Sequence, residues 1–534
     1  MTGEEQTIPV IIGVTGHRGI RRQDEPVIRE AVRSELKKLQ ARCSYSPLMM
    51  LNSLAEGSDL LCAEVAEELE IPLIAVLPRE KTDYERDFSE EAKKRFAHHC
   101  ARAEKVFVAP PVEALREGDI VRDYHFRQAG IYVATHCHVL MALWDGEPGK
   151  FRCGTAEMVD AVLNGSYDPV SGVVLRSGSN EAVLHIFTPR REQKEKAVGS
   201  VQMLGNWDAV EDILRKTDDF NRTAASATLN SDSRLPLAFD RDPVTEKVER
   251  ISIAAGMLSR QAARQYHRVL ALLAVVSATL TFAFLLYDEA QMIWLILVCG
   301  MMLFAAWGCQ HYAARSDCHR RYIEYRVLAE CLRVQTCLRY AGTGIRAADL
   351  MSWTQQEETA WVLVALCTMT IGDVPEETHE IRTCWVDAQR EYHRKASKGA
   401  EQKLTVSDRV VSVALIMSVL LYLTAVGYEL LCGGVLLRPR VPVTDAELWR
   451  TVLKILLGTI SAVTLFVANY FGRLSLQRTF SDHQKMERFY GKMSGQLEKY
   501  GQTEELLTLL AREELIENGN WCSYQRDNKP DFNL

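Results

Sequence analysis

Four short motifs carry residue types and spacings suited to holding a phosphorylated small molecule. The first, Gly13-Val14-Thr15-Gly16-His17-Arg18-Gly19, closes the apolar run 10–13. Glycines behind a first strand let the backbone approach a phosphate, and the N–H groups that open the next helix favour an anion. The loop is neither G-x-G-x-x-G nor a P-loop, so a tight strand-to-helix turn accounts for the same glycines. The second motif, Asn52-Ser53-Leu54-Ala55-Glu56-Gly57-Ser58-Asp59, follows the run 48–51. In a parallel sheet it lies beside the first, at the carboxyl edge where ligands collect. Ser58 or Asp59 equally suits the cap of the next helix.

The third motif, Leu77-Pro78-Arg79, ends the run 73–77 and is followed by Asp83, Tyr84 and Asp87. Arg79 has the fork geometry for a phosphate and Tyr84 the ring to stack on a base; a plain surface loop reads the same way. The fourth runs from Trp144-Asp145-Gly146 to Gly149-Lys150-Phe151-Arg152-Cys153-Gly154-Thr155-Ala156-Glu157. Gly154-Thr155 opens a helix, so its free N–H groups point into the same crevice. Glu157, in the first turn, either bonds ribose hydroxyls or complements the helix dipole. The candidate ligand-binding set is therefore Gly13, Thr15, Gly16, His17, Arg18, Ser53, Glu56, Gly57, Asp59, Arg79, Gly154, Thr155 and Glu157. No Ser-His-Asp set is assignable by spacing. His98-His99-Cys100 and His136-Cys137-His138 have metal-ligand types, but adjacent residues at a helix end rarely converge on one ion. No metal site and no cofactor is assigned.

These motifs need strands that end together. The first part of the chain alternates short apolar runs (10–13, 48–51, 73–77, 106–108, 139–144 and a last one at 183–187) with helical patterns over 27–39, from Ser58-Asp59, and over 90–101, 124–135 and 155–163. In 27–39, Ile28, Val32, Leu36 and Leu39 share one side. Short apolar runs between helices predict an α/β, Rossmann-like, doubly wound parallel sheet buried on both faces, spanning 1–192. A helical extension and linker, 193–243, follows, with a helix over 207–220 and a polar linker over 230–242.

The second half holds four apolar stretches, 269–287, 292–307, 410–431 and 452–471. A spanning helix needs roughly 20 apolar residues; the second stretch reaches that only with 309–313. Their only charged residues, Glu429 and Lys454, lie near ends. In lipid the backbone must satisfy its own hydrogen bonds, so the expectation is an all-α membrane region with four transmembrane helices in two hairpins. These form a first hairpin-plus-helix unit (244–345), a helical connector (346–400) and a second unit (401–534). A helix over 244–268 runs straight into the first span. Polar helices over 322–340 and 477–500 follow the hairpins and end at Tyr340-Ala341-Gly342 and Tyr500-Gly501, where Gly terminates a helix. In the connector, 353–369 is helical, but the polar run 354–359 makes it a poor fifth span. Ser277, Thr279, Ser412, Ser418, Thr459, Ser461, Thr464 and Asn469 either line a pore or bond backbone and neighbouring helices.

The formal net charge of −7 argues against a nucleic-acid-coating protein. The 14 cysteines show no C-x-x-C pair and read as reduced, core-filling residues. The acidic start does not resemble a signal peptide. Arg264, His267 and Arg268 precede the first span, Arg315, His319, Arg320 and Arg321 follow the second, and the turn Asp288-Glu289 between them is acidic. Basic flanks stay inside, which places the termini in the cytoplasm and the chain in the inner membrane as a multi-pass protein.

Residues 13–18, 53–59 and 154–157 together resemble the SLOG superfamily, a group related to cytokinin-activating phosphoribohydrolases, DNA-processing DprA proteins and nucleotide-derivative sensors. The likeness covers about 10–189. In the hydrolases the last motif is P-G-G-x-G-T-x-x-E; this chain keeps Gly154 and Thr155, has its Glu two residues after Thr, and carries Lys150-Phe151-Arg152-Cys153 in place of Pro-Gly-Gly. The membrane half is similar to SLATT domains, the SMODS- and SLOG-associating two-transmembrane effectors of bacterial conflict systems. That likeness rests on the basic-flanked hairpin before Tyr325-Arg326-Val327-Leu328-Ala329-Glu330-Cys331-Leu332-Arg333, and on Trp385-Val386-Asp387-Ala388-Gln389 with Tyr392. The resemblance implies an antiphage membrane effector. Its cytoplasmic domain would sense a nucleotide-derived messenger and gate pore formation or membrane disruption, as a homo-oligomer served by a messenger synthase encoded nearby. The alternative is a membrane-tethered nucleotide N-glycosidase or phosphoribohydrolase using Arg18 and Glu157.

Overall fold

The structure, a computed structural model, describes residues 6–110, 122–148, 154–165, 182–191, 197–226, 242–289, 292–372, 378–432, 443–473 and 476–527. Two compact units emerge. The first comprises Met1–Leu258, Glu324–Glu380 and Gln502–Tyr524; the second comprises Ser259–Ile323, Ile381–Gly501 and Gln525–Leu534.

The first unit begins β1 (Val10–Gly16), α1 (Glu25–Arg42), β2 (Leu48–Asn52), α2 (Ser58–Glu68), β3 (Leu73–Leu77), the single turn α3 (Lys81–Tyr84), α4 (Glu90–Arg102) and β4 (Lys105–Val108). It continues with α5 (Arg122–Thr135), β5 (Val139–Trp144), α6 (Thr155–Asn164), β6 (Ala182–Phe187), β7 (Val201–Gly205) and α7 (Trp207–Ala225). The strands form one sheet in the order β4-β3-β2-β1-β5-β6-β7. Strands β1 to β6 are parallel. The chain winds outward from β1 to β4, then returns to the other side of β1, where Ile12 lies opposite Val139 and Gly16 opposite Leu143. Both faces are covered, which is why the strands read as continuous apolar runs. Val10, Ile12 and Val14 point to a core built with Ile28, Val32, Leu61 and Phe96. Ile11 points the other way, to Val133 of α5 and Val159 of α6.

One strand was not expected. Residues 183–187 are not the last strand: β7 pairs antiparallel with β6, so the sheet is mixed. Its residues Val-Gln-Met-Leu-Gly are mostly exposed, so no buried face imposes a period on them. Gly199 and Gly205, both with positive φ, bracket it and let the chain reverse.

The remaining elements are helices: α8 (Pro243–Glu289), α9 (Leu295–Ser316), α10 (Cys318–Tyr340), the short α11 (Ala347–Leu350), α12 (Trp353–Glu358) and α13 (Ala360–Met369), then α14 (Ala388–Cys432), α15 (Val443–Arg473), α16 (Leu476–Tyr500) and α17 (Glu504–Asp527). The expected helix 353–369 is two helices, broken at Thr359 (φ −130°). There the threonine hydroxyl adds a 2.7 Å bond to the Gln355 carbonyl, which the Thr359 N–H also reaches at 3.0 Å. In the first unit, α10 packs on α7. The Glu324 carboxylate takes Lys216 Nζ at 3.2 Å and Trp361 Nε1–H at 2.9 Å, and Phe220 meets the rings of Tyr325 and Trp361. Asn221 of α7 closes the start of β1, accepting from Ile8 N–H and donating to Ile8 C=O, both at 2.8 Å.

In the second unit, α14 packs along α16, and Ser494 Oγ of α16 donates at 2.8 Å to Asp387, the residue before α14. Arg450 of α15 pairs with Glu429 of α14, and Lys454 with Glu289 of α8 at 3.1 Å. Gly458 lets α15 approach α8: a Cβ there would stand 3.1 Å from Leu285. Among the described residues three helices are long and apolar enough to cross a membrane, Pro243–Glu289, Leu295–Tyr340 and Arg382–Leu430. Protein covers little of their apolar windows; Leu297 is 71 % and Phe304 76 % exposed. Such surface calls for a bilayer. Residues 309–313, which the second expected stretch needs to reach spanning length, are helical within α9. The fourth, 452–471, falls within α15, partly beyond the described side chains, as does Asn469. The loop 433–442 and linker residues 230–241 lie outside the described residues. Thr279, Ser418, Thr459 and Thr464 each donate to the carbonyl four residues back, at 2.7–2.9 Å, so these hydroxyls are spent on their own helices. Gly342 and Gly501 end α10 and α16 with φ of +70° and +76°, as expected.

Candidate functional site

Reversal of strand order leaves a crevice beyond the carboxyl ends of β1 and β5, the usual ligand position in such sheets. A cavity of about 360 Å³ opens there, at the small end of small-molecule sites. Its walls are the end of β1 and the loop to Gly19, Ser53, Ala55 and Asp59 from the β2–α2 turn, and Pro78 and Tyr84 after β3. Phe126, Ala129 and Gly130 of α5, Gly154, Thr155 and Met158 of α6, and Arg190 after β6 complete them.

The two glycine-bearing turns are locked together. Ser58 donates to the His17 carbonyl through both its N–H (3.1 Å) and its hydroxyl (2.8 Å). Gly57 has φ +97°, and a Cβ there would fall 2.0 Å from the Arg18 carbonyl oxygen. A Cβ on Gly16 would fall 2.4 Å from Ser58 Cβ. These glycines permit chain-to-chain contact. Leu54 sits at φ +54°; Asn52 holds it there, accepting from Leu54 N–H at 2.7 Å and donating to Asp59 C=O at 2.8 Å.

The charges are arranged in layers. His17 Nε2 accepts the Asp145 N–H at 3.1 Å, and Arg190 Nε binds Asp145 Oδ2 at 2.8 Å. Burial holds His17 below its ordinary value despite the nearby Asp145 carboxylate, so the ring is neutral at pH 7. Its 3.2 Å approach to Asp145 Oδ1 is then no ion pair. For Asp145, burial pushes the carboxyl up, but Arg190 and the Glu147 N–H outweigh it and hold it low. Asp59 differs. Burial raises its carboxyl to about 7, against the Ala55 N–H (3.3 Å) and Arg18, which lower it. Arg18 is exposed and stacks over Phe126 at 5.0 Å. The cavity thus presents a stacked guanidinium, a second guanidinium at Arg190, the N-terminus of α6 and a buried carboxyl. That set suits an anionic group at one place and a hydrogen-bond donor at another.

Of the sequence-derived candidates, Thr15, Gly16, His17, Arg18, Ser53, Asp59, Gly154 and Thr155 come together on the cavity wall. The others do not line it. Gly13 gives room to Cys137 and Val133 of the α5 segment. Gly57 serves the turn contact. Glu56 accepts from Ser89 Oγ at 2.6 Å, at the cap of α4. Arg79 pairs with Asp83 at 2.9 Å, and Glu157 with Arg127 at 2.6 Å. Tyr84 is neither a surface-loop residue nor a free stacking ring: it is buried, edge-on to Phe88 and Phe96. Residues 149–153 lie outside the described residues. Phe126, Gly130, Met158 and Arg190 were missed. Arg190 follows the carboxyl end of β6, a signal that was available; Phe126 and Gly130 lie mid-helix, where no local pattern marks them.

The two histidine-cysteine sets part ways. His136 stacks on Tyr132 with ring centroids 3.9 Å apart, while His138 Nδ1 accepts the Ile11 N–H at 3.1 Å. These two bond separate partners. His98 and His99 share one carboxylate, that of Glu67. No family model matches this chain, and no curated protein matches it.

Proposed function

We propose that the chain is a ligand-gated membrane effector: a nucleotide-derived ligand binds the β1/β5 cavity and shifts a population between closed and open membrane assemblies. The observation that carries this reading is one chain holding both parts. A cavity at the strand-order switch carries Arg18, Arg190 and a helix N-terminus, and the 47-residue α8 continues without a break into an apolar window. A stiff helix can pass a displacement that a linker would absorb. The resemblance to SLOG and SLATT domains gives the same reading, with four spans in two hairpins, a cytoplasmic sensor and an inner-membrane location. The acidic turn between basic flanks favours that side. Four slender helices enclose little water-filled space, so conduction calls for a homo-oligomer, with a messenger synthase as partner.

The hydrolase alternative needs Glu157 beside Arg18. Glu157 is instead engaged by Arg127 and is not on the cavity wall, which favours sensing. The test is calorimetry of the full chain in nanodiscs against nucleoside monophosphates, cyclic nucleotides and ADP-ribose derivatives, with products assayed in parallel. Saturable binding without turnover supports the sensor; release of free base supports the hydrolase. Arg18→Ala is expected to weaken binding about tenfold or more, the scale of a lost charge-assisted contact. It should also abolish toxicity in cells at unchanged protein abundance. Killing that persists would overturn gating through this cavity.

A further inference from the structure

A second constellation lies at the other end of α2, about 12 Å along the helix from Asp59. Glu67, in the last turn of α2, faces two consecutive histidines of α4. His98 Nε2 stands 3.0 Å from Glu67 Oε2 and 3.1 Å from Oε1. His99 Nδ1 stands 3.5 Å from Oε2. One ligand atom from each residue lies within 4.8 Å of the others. Zinc bonds of 2.0–2.2 Å in a tetrahedron put neighbouring donor atoms about 3.3–3.6 Å apart, and the two distances to Oε2, 3.0 and 3.5 Å, come close to that spacing.

Consecutive helical residues diverge by about 100°, so a shared target needs unequal reach. His98 supplies the distal nitrogen and His99 the proximal one, with ring planes 79° apart. His99 is buried. The Glu67 oxygens are divided. Arg102 Nε holds Oε1 at 2.7 Å, and Oε2 is the oxygen that both histidines approach. A carboxylate fixed on one oxygen and ligating with the other is common around bound metals.

We propose that Glu67, His98 and His99 bind a divalent transition metal, best matched by Zn²⁺, with the remaining position open to water, and that the ion clamps α2 to α4. Without an ion, the same residues form an ordinary charge cluster with Arg102. The experiment separates the two and does not depend on the ligand-gating reading. Full-length chain in nanodiscs is stripped with a chelator and titrated with Zn²⁺ against a chromophoric competitor, as wild type, His98→Ala and Glu67→Gln. His98 is half exposed, so its replacement leaves the fold intact. The wild type is expected to hold one more equivalent of Zn²⁺ than His98→Ala, and each variant should weaken that equivalent by about tenfold or more. Co²⁺ should give a tetrahedral visible band in the wild type alone, and Zn²⁺ should raise the apparent Tm of the wild type alone. Equal stoichiometry in wild type and His98→Ala, or no zinc-dependent change in either readout, overturns the site.

Discussion

Gly57 and Asp59 lie two residues apart and are constrained by different forces. Gly57 is constrained by shape: positive φ and the Arg18 carbonyl leave no room for a methyl group. Gly57→Ala is expected to cost about 2 kcal/mol or more, lowering the apparent Tm in differential scanning fluorimetry by several degrees. Gly19→Ala, whose Cβ meets nothing within 4 Å, should leave Tm unchanged. Asp59 is constrained by solvation: burial raises its carboxyl from near 4 to about 7. A raised folded value means that the neutral form is favoured in the fold. Its stabilising contribution is therefore complete below pH 4 and is lost as pH rises through 7. Asp59→Asn keeps an acceptor for the Ala55 N–H without the charge. The variant should unfold at a higher temperature than wild type at pH 8 and match it at pH 4. A gap that does not change with pH would exclude a buried, titrating carboxyl.

At the scale of elements, α8 carries the mechanical claim. Ser252 Oγ donates to Ala329 C=O and Ser259 Oγ to Tyr322 C=O, both at 2.8 Å, so α8 and α10 are stitched along their length. Beyond Ser259, Gln261 is exposed. Gln261→Pro removes an interior helical hydrogen bond and clashes with the preceding turn, costing about 3 kcal/mol. The expected outcome is nucleotide affinity within twofold of wild type and no ligand-dependent dye release from liposomes. Dye release that survives would place the coupling elsewhere. The elements that could be read locally were those with a strong period or a sharp stop, such as β5 and the glycine-ended α10 and α16. Strand β7 could not, because its partner β6 supplies its hydrogen bonds while its side chains stay in solvent. Nor could the break at Thr359, whose backbone leaves the helical region although its N–H and hydroxyl both reach the Gln355 carbonyl.

For the whole molecule, exposure of apolar helices decides the environment. Alkaline carbonate should leave the full chain with the membrane pellet, as scored by immunoblot; release without detergent would refute membrane insertion. Two compact units arise from interleaved segments. Residues 324–340 of α10 follow α8 and α9 in sequence yet build the first unit, with Val327, Leu328 and Leu332 fully buried. Arg339 reaches back to Asp242 at 3.0 Å and to Thr245 at 2.7 Å, tying the end of α10 to the start of α8.

Hydrophobic length and period are properties of contiguous residues, so the amino-acid sequence by itself determined the strand–helix alternation, the apolar helices and the glycine loop beside β1. It also marked eight residues that meet on the cavity wall, because strand ends of a parallel sheet share one edge by rule. Only the tertiary structure decided which charged neighbours were already taken: Glu56 by Ser89, Arg79 by Asp83, Glu157 by Arg127. It alone brought Phe126 and Arg190 to the cavity and two adjacent histidines to one carboxylate. Pairing of that kind depends on distances across the fold, and no local pattern in the chain encodes them.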